Sequence, residues 1–355
     1  MKKVLLAILY LLIAVFLAAV CLFGWLTARE FKPAPVEDLI VTGTGRCGDL
    51  EPGQSLDILS WNVGYGGLGA GSDFFMDGGK NVKAAGPNAV GNYLNGIKEA
   101  MYAAPSPDLI LLQEVDTDSS RTYHTDEAAY LSTPARNQMT VHALNYSCPF
   151  VPYPVPPIGQ VNSGLFTLSG YGIDKAERIS LPCPFSWPVS TANLKRCLLV
   201  SYLPVAGTDQ QLVLVNLHLE AYDDGEGKIA QTNQLRDFIR AEYDKGNYVI
   251  AGGDFNQIFP GGLEAYPNAH PDLWAPGILD DTLLPPGWTF QYDLSTPSCR
   301  LLNQPYDPAD TANTQYYVID GFIVSPNVIV DSVETVDLGF ANSDHNPVRL
   351  HVTLG

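Results

Sequence analysis

Along the chain of 355 residues the apolar positions fall into three patterns. The first is a single uncharged run over 4–26, preceded by Lys2 and Lys3. At the helical rise it is long enough to cross a bilayer. The second is helical spacing: residues 88–103 align Val90, Leu94, Ile97 and Met101, and residues 228–244 align Leu235, Phe238 and Ile239. The third is the short apolar run of a buried strand, at 56–61, 109–112, 212–217, 248–251, 318–324 and 348–354. Strands outnumber helices, and turn-rich loops separate many of them. That predicts paired sheets with helices packed outside.

Two segments interrupt this rhythm and are predicted as long loops. Residues 133–160 hold Pro149, Pro152, Pro154, Pro156 and Pro157 among aromatics, and residues 258–288 are rich in Pro and Gly around Trp274 and Trp288. Just past the apolar run, Pro33 and Pro35 stop a helix and favour extended chain. The division predicted is therefore a short tail (1–3), an anchor or signal segment (4–26), a linker (27–50) and a folded domain (51–355). With 46% hydrophobic and 10% aromatic residues, the domain can bury one large core or two small ones.

Charge bears on location and on partners. Lys2 and Lys3 keep the amino terminus cytoplasmic and the bulk outside, while Arg29 and Lys32 on the far side pull the other way. The length of the run favours an uncleaved anchor over a removed signal peptide, which would leave a secreted protein. Ala18-Ala19-Val20-Cys21 resembles a lipoprotein box, with Val20 where a small residue is usual. Beyond the anchor stand 38 acidic and 18 basic residues, a net of −20. Such a surface is repelled by polyanions unless a bound cation supplies positive charge locally. It favours a lipid headgroup or small phosphorylated molecule over nucleic acid, and a monomer is expected. The outer cysteines, Cys47, Cys148, Cys183, Cys197 and Cys299, lack C-x-x-C spacing, so a metal cluster is not expected, although a pair such as Cys183 with Cys197 could be bridged.

Polar residues recur where strands leave the core: Asn62, Gln113-Glu114, Asn216 with His218, and Asp254 with Asn256. Singly each has an ordinary explanation, as a turn cap, a solvated charge or a satisfied histidine. Together they would converge if the strands shared a sheet edge. Asp320, flanked by Val318, Ile319, Phe322 and Ile323, adds weight because a buried aspartate needs a partner. A histidine such as His345 in Ser343-Asp344-His345 would serve, leaving its second ring nitrogen free to act.

The ordered motifs SWNVG, LLQEVD, VNLHLE, AGGDFNQ, YVIDGFIV and SDHNPV resemble the endonuclease/exonuclease/phosphatase superfamily over residues 56–350. The resemblance implies an α+β fold of two packed, mainly antiparallel β-sheets flanked by helices, a four-layer α/β/β/α sandwich, here preceded by one transmembrane helix. It implies metal-dependent phosphodiester or phosphomonoester hydrolysis. Glu114 would be the main Mg²⁺ ligand (or Mn²⁺), with Asn62 beside it and Asp344 assisting. Asp254 would orient or deprotonate water, and Asn256 would hydrogen-bond the phosphate. His345, held by Asp320, would contact the phosphate or act as base, and His218 would bind phosphate or protonate the leaving group. Arg121 is a further candidate phosphate ligand, along with Tyr123, or else half of a surface ion pair. A nuclease and a catalytically silent binding module on the same fold are the competing readings; the second would be expected to lack some of these side chains.

Overall fold

The computed structural model describes residues 1–45, 48–132, 137–223, 225–310 and 313–355. The first apolar run forms one helix, Lys2–Ala28, with mean hydropathy 3.1 and no buried residue in its most apolar window. The remainder is built on two seven-stranded mixed sheets. One runs, edge to edge, Val328–Thr335, Val348–Leu354, Ser55–Asn62, Leu109–Asp116, Gly159–Ser169, Met139–Val151 and Thr42–Gly43. The other runs Val36–Asp38, Lys175–Ser180, Cys197–Pro204, Gln211–His218, Tyr248–Asp254, Asp320–Val324 and Thr289–Gln291.

Each sheet contains one parallel pair among antiparallel neighbours, and each parallel pair is joined by a crossover helix. Ser55–Asn62 passes through Pro87–Met101 to Leu109–Asp116, and Gln211–His218 passes through Glu226–Asp244 to Tyr248–Asp254. Because parallel strands end on the same side, all four carboxyl ends emerge together. The apolar pattern explains the layering. Val90, Leu94, Ile97 and Met101 pack on Trp61, Ile110 and Leu112; Leu235 and Ile239 pack on Val213, Val249 and Ile323. Between the sheets lie Ile58, Leu109, Leu111, Leu165, Leu214, Ile250 and Phe322. Four layers, helix, sheet, sheet, helix, result.

Three expectations change. Much of 133–160 is not a loop: Met139–Val151 and Gly159–Ser169 form a long hairpin, with residues 133–136 outside the described set. Pro149 is accommodated because the register shifts between Cys148 and Val151, where no ladder N–H is needed. Nor is 27–50 only a spacer. Its prolines favour extended backbone, and Val36–Asp38 and Thr42–Gly43 add an edge strand to each sheet. Finally, Cys183 and Cys197 are free thiols that contact different carbonyls, Phe185 and Leu194 for the first and Leu144 for the second. Cys47 lies outside the described residues. The 258–288 segment keeps its irregular character, with only a short parallel pair, Gln257–Ile258 with Gly277–Ile278, and brief helical turns.

Candidate active site

The strand Tyr248–Asp254 explains why two glycines precede an aspartate. A Cβ on Gly253 would strike the carbonyl oxygen of Leu217 on the neighbouring strand, and one on Gly252 would strike the Phe322 ring. Only glycine lets the strand stay in register through to its last residue, where Asp254 lies opposite both His218 and Asp320. The carboxylate is thereby carried, almost fully buried, to the floor of a cleft of about 600 Å³.

Glu114 reaches the same floor by a different device. The ladder of its strand shifts between Leu112 and Val115, and Glu114 adopts φ +57°, a region an unbranched acid rarely visits. The bulge turns its side chain toward Asn62, whose amide Nδ2 donates to Glu114 Oε1 at 3.2 Å and to Asp254 Oδ2 at 3.0 Å. Asn256 also sits at positive φ, +50°, which asparagine tolerates, and its Nδ2 donates to the Leu219 carbonyl at 2.9 Å. One amide hydrogen is thus committed to the backbone and the other is free for a ligand.

On the opposite side stands His345. Its Nδ1 lies 2.8 Å from Asp320 Oδ2, and that oxygen also accepts from Ser298 Oγ at 2.8 Å. The loop is tied to the first sheet by Trp61 Nε1, which donates to the His345 carbonyl, and by Ser343 Oγ, which donates to the Asn62 carbonyl. With Nδ1 fixed, Nε2 faces the cleft, 3.8 Å from both Asp254 Oδ2 and Asp344 Oδ2. His218 Nε2 lies 3.4 Å from Asp254 Oδ2 and 4.0 Å from Glu114 Oε1.

The two histidines are held in opposite states. Burial alone would lower His345, but the Asp320 carboxylate, with Cys299 and Asp344, carries it well above the ordinary imidazole value. Burial drives His218 well below that value, with the positive charge of Arg196 and His345 adding to the effect. Among the acids, burial, reinforced by Asp320, pushes Asp254 up to about 7; burial also takes Asp344 up to about 6, with Glu114 adding to the rise. Asp77, which sequence patterns did not flag, is raised to about 7 by burial and by Asp344, and accepts from Tyr222 Oη at 3.1 Å. No periodicity marks it, because it sits in an irregular connection and reaches the cleft through tertiary packing alone.

The crowded acids test the fit of a cation. Glu114, Asp344, Asp254 and Asp77 line one cleft, and an oxygen of Asp320 is buried without a partner. Two compact groups of donors converge on His345: Asp254 with Asp320, and Cys299 with Asp344, each set within 4.8 Å. Carboxylate oxygens in such density suit a hard divalent ion. The Cys299 thiol, pushed up to about 12 mainly by burial, stays protonated and is a poor partner for one. Glu114 lies outside both groups, across Asp254. The Asn62 Oδ1 accepts from the Gly64 N–H at 3.0 Å, so the face it turns to the acids is its NH₂. In this orientation Asn62 positions the two carboxylates, and ligation would require its amide to turn over.

Of the other candidates, Arg121 lines the cleft but is neither free nor at the surface. Its guanidinium is bidentate to buried Asp116 at 3.0 and 2.8 Å, also donates to Ser163, and lies 3.7 Å over the Tyr65 ring. Tyr123 turns away, donating to the Ala84 carbonyl. Asn216 and Gln113, at strand ends like the rest, are bonded to each other at 2.8 Å; Asn216 also donates to the carbonyls of Leu112 and Phe166. They clamp the two sheets together beneath the floor.

The sequence profile of the endonuclease/exonuclease/phosphatase family matches residues 59–345. No curated protein matches in sequence. Among solved structures, an endonuclease/exonuclease/phosphatase from Beutenbergia cavernae superposes with TM-score 0.55 at 18% identity, covering 85% of this chain and 72% of that one. A family protein from Bacteroides thetaiotaomicron gives 0.52 at 14% identity, covering 85% and 99%. TDP2 from Caenorhabditis elegans gives 0.50 at 16%, covering 86% and 75%. At these identities the likeness is one of fold.

Proposed function

The chain belongs to the endonuclease/exonuclease/phosphatase family, and from that premise we propose that it is a divalent-metal-dependent phosphoester hydrolase held at the outer face of a membrane by its N-terminal helix, acting on a lipid headgroup or small phosphorylated molecule. Members of this family are generally phosphoester hydrolases and typically use divalent metals. The observation that carries the reading is the meeting of Glu114, His218, Asp254, Asn256, Asp320, Asp344 and His345 at one cleft floor from five separate stretches of chain. A silent binding module has no reason to keep a buried His345–Asp320 pair aimed into a crowd of acids.

Glu114 and Asp344 would hold a divalent cation (Mg²⁺ or Mn²⁺), which would supply positive charge to the phosphate oxygens. Asp254 orients water and takes its proton as the new P–O bond forms and the ester P–O bond breaks. The departing oxygen then needs one proton, which a histidine facing Asp254 can deliver. His345, oriented through Nδ1 by Asp320, presents Nε2 to the phosphate, and His218 Nε2 stands on the other side of Asp254. Asn256 offers its free amide hydrogen where charge develops on the phosphate. Arg121, paired with Asp116, supports the cleft wall in this scheme.

The excess of acidic residues favours lipid or small-molecule substrates over DNA. The test offers Mg²⁺-loaded protein plasmid DNA beside phospholipid vesicles, with and without EDTA. EDTA-sensitive release of a phosphorylated headgroup with DNA intact supports the proposal. Nicked DNA makes the protein a nuclease instead. Glu114→Ala is expected to lower turnover by about 10³-fold with little change in substrate binding, and retention of most turnover would count against Glu114 as the cation's ligand.

A further inference from the structure

The cleft does not stop at its acidic floor. The same cavity of about 600 Å³ continues into an apolar arm whose wall includes Phe23 and Leu26, from the last turns of the N-terminal helix. Leu26 is 1% exposed, packed with Tyr146, Val151, Ile158 and Val161 of the long hairpin. The helix end is fixed there by polar contacts as well. Trp187 Nε1 donates to Thr27 Oγ1 at 3.0 Å with its ring edge against Phe23, and Lys195 Nζ pairs with Glu30 at 2.9 Å. Phe75, Phe185 and Val189 complete the arm.

Helix length sets the level of this arm. At about 1.5 Å per residue, roughly 20 residues cross a hydrocarbon core of about 30 Å. Counting from Val4, the core is used up near Phe23, so Phe23 to Ala28 emerge at the headgroup layer. Phe23 and Leu26, which wall the arm, are among them. Around its mouth Tyr153 is 67%, Val155 95%, Trp187 62% and Val189 56% exposed. A ring of exposed aromatic and aliphatic side chains beside the end of a membrane-spanning helix is what an interface-seated surface looks like.

We infer that the apolar arm is an acyl-chain groove, in which a two-chain phospholipid of the leaflet facing the domain lies between the anchor helix and the 151–158 and 185–194 segments, with its phosphate on the acidic floor. The inference rests on the hydrolase reading for the role of the floor, but the groove itself is argued from its walls. A water-soluble substrate would gain nothing from a wall contributed by the membrane helix. A lipid would leave the bilayer only by the distance from headgroup to floor. The anchor then does more than tether: it forms part of the substrate site. The cavity volume falls within the range of about 300–1,000 Å³ usual for small-molecule sites, enough for a headgroup and the first part of the chains.

The test uses the full chain in phosphatidylcholine nanodiscs. A non-hydrolysable ether phospholipid with a diazirine on its acyl chain is photolysed, and the labelled peptides are mapped. Adducts in 151–158, 185–194 and 23–26 are expected. Adducts confined to the outward-facing helix surface over 4–17 would overturn the groove. In parallel, hydrolysis of the nanodisc lipid is measured against that of bis(p-nitrophenyl) phosphate in Mg²⁺. Val189→Glu and Tyr153→Glu, at exposed positions that leave the core intact, are expected to lower the lipid-to-diester rate ratio at least tenfold and to reduce labelling in step. A ratio and labelling within twofold of the parent protein would also overturn it. If labelling follows the groove while neither substrate is turned over, the hydrolase reading falls and the groove stands. If the diester is cleaved but the groove is unlabelled, the reverse holds.

Discussion

The floor and the arm of the cleft are built by opposite means. Asn62, Glu114, His218 and Asp254 stand at the ends of two parallel strand pairs, and Asp320 opens the strand antiparallel to Asp254. Two packed sheets hold these groups to fixed separations, with Asn216 and Gln113 clamping the sheets just below. The arm is assembled from the end of the N-terminal helix, a hairpin tip and an irregular segment, and is held by packing around Leu26 and a few polar contacts. Rigid elements place the chemistry; loosely connected ones shape what reaches it. Substitutions should therefore separate, with floor changes acting on turnover and arm changes acting on which substrate is accepted.

The largest separation is expected from His345→Ala. It removes the only described imidazole bonded to Asp320 and leaves that buried carboxylate with Ser298 alone. Loss of a positioned acid–base group costs on the order of 10³-fold in turnover. Photolabelling of the arm by the ether lipid should persist. If turnover of the soluble diester survives within tenfold, the floor does not work as described here.

Gly253→Ala tests the scaffold that carries Asp254. The added methyl collides with a backbone oxygen, Leu217 O, which cannot swing aside as a side-chain tip can. A cost of about 3 kcal/mol is expected from overpacking and backbone strain together, read as a lower denaturant midpoint. A variant as stable as the parent would mean that the strands can separate there, and the fixed geometry of the floor would lose its explanation.

How much of this was legible in sequence follows the same division. Strand exits show as short apolar runs ending in polar residues, so Asn62, Glu114, His218 and Asp254 could be picked out, and Asp320 was visible as an acid inside an apolar strand. The limits of that signal are equally physical. Asn216 and Gln113 have the same signature yet join the sheets, because whether a strand-end side chain points into the cleft or between the sheets depends on twist and register. Arg121 reads as a phosphate ligand or half of a surface ion pair, and its buried partner Asp116 stays hidden because it lies five residues earlier across a turn that periodicity does not describe. Asp77 and Ser298 carry no pattern at all, and although the apolar run over 4–26 and the proline- and aromatic-rich 133–160 segment each stand out, nothing in the sequence joins them into one arm. Phe23 and Val189 are 166 positions apart and line one cavity only through the packing of the helix end on the long hairpin and the 185–194 segment. The hairpin 139–169 was hidden by its prolines, which mark a bulge and a tip in place of a loop.

The smallest effect expected is at the junction of the two regions. Trp187→Ala removes the bond to Thr27 and the edge contact with Phe23 but leaves Leu26 in its pocket and the Lys195–Glu30 pair intact. An exposed hydrogen bond and one aromatic contact together amount to about 1 kcal/mol. The helix end should therefore stay docked most of the time and open about fivefold more often. Faster hydrogen exchange across 22–28, with the 248–254 strand unchanged, is the signature to look for. If exchange accelerates equally in that strand, the arm and the floor are a single cooperative unit, and the contrast between them describes chemistry without describing mechanics.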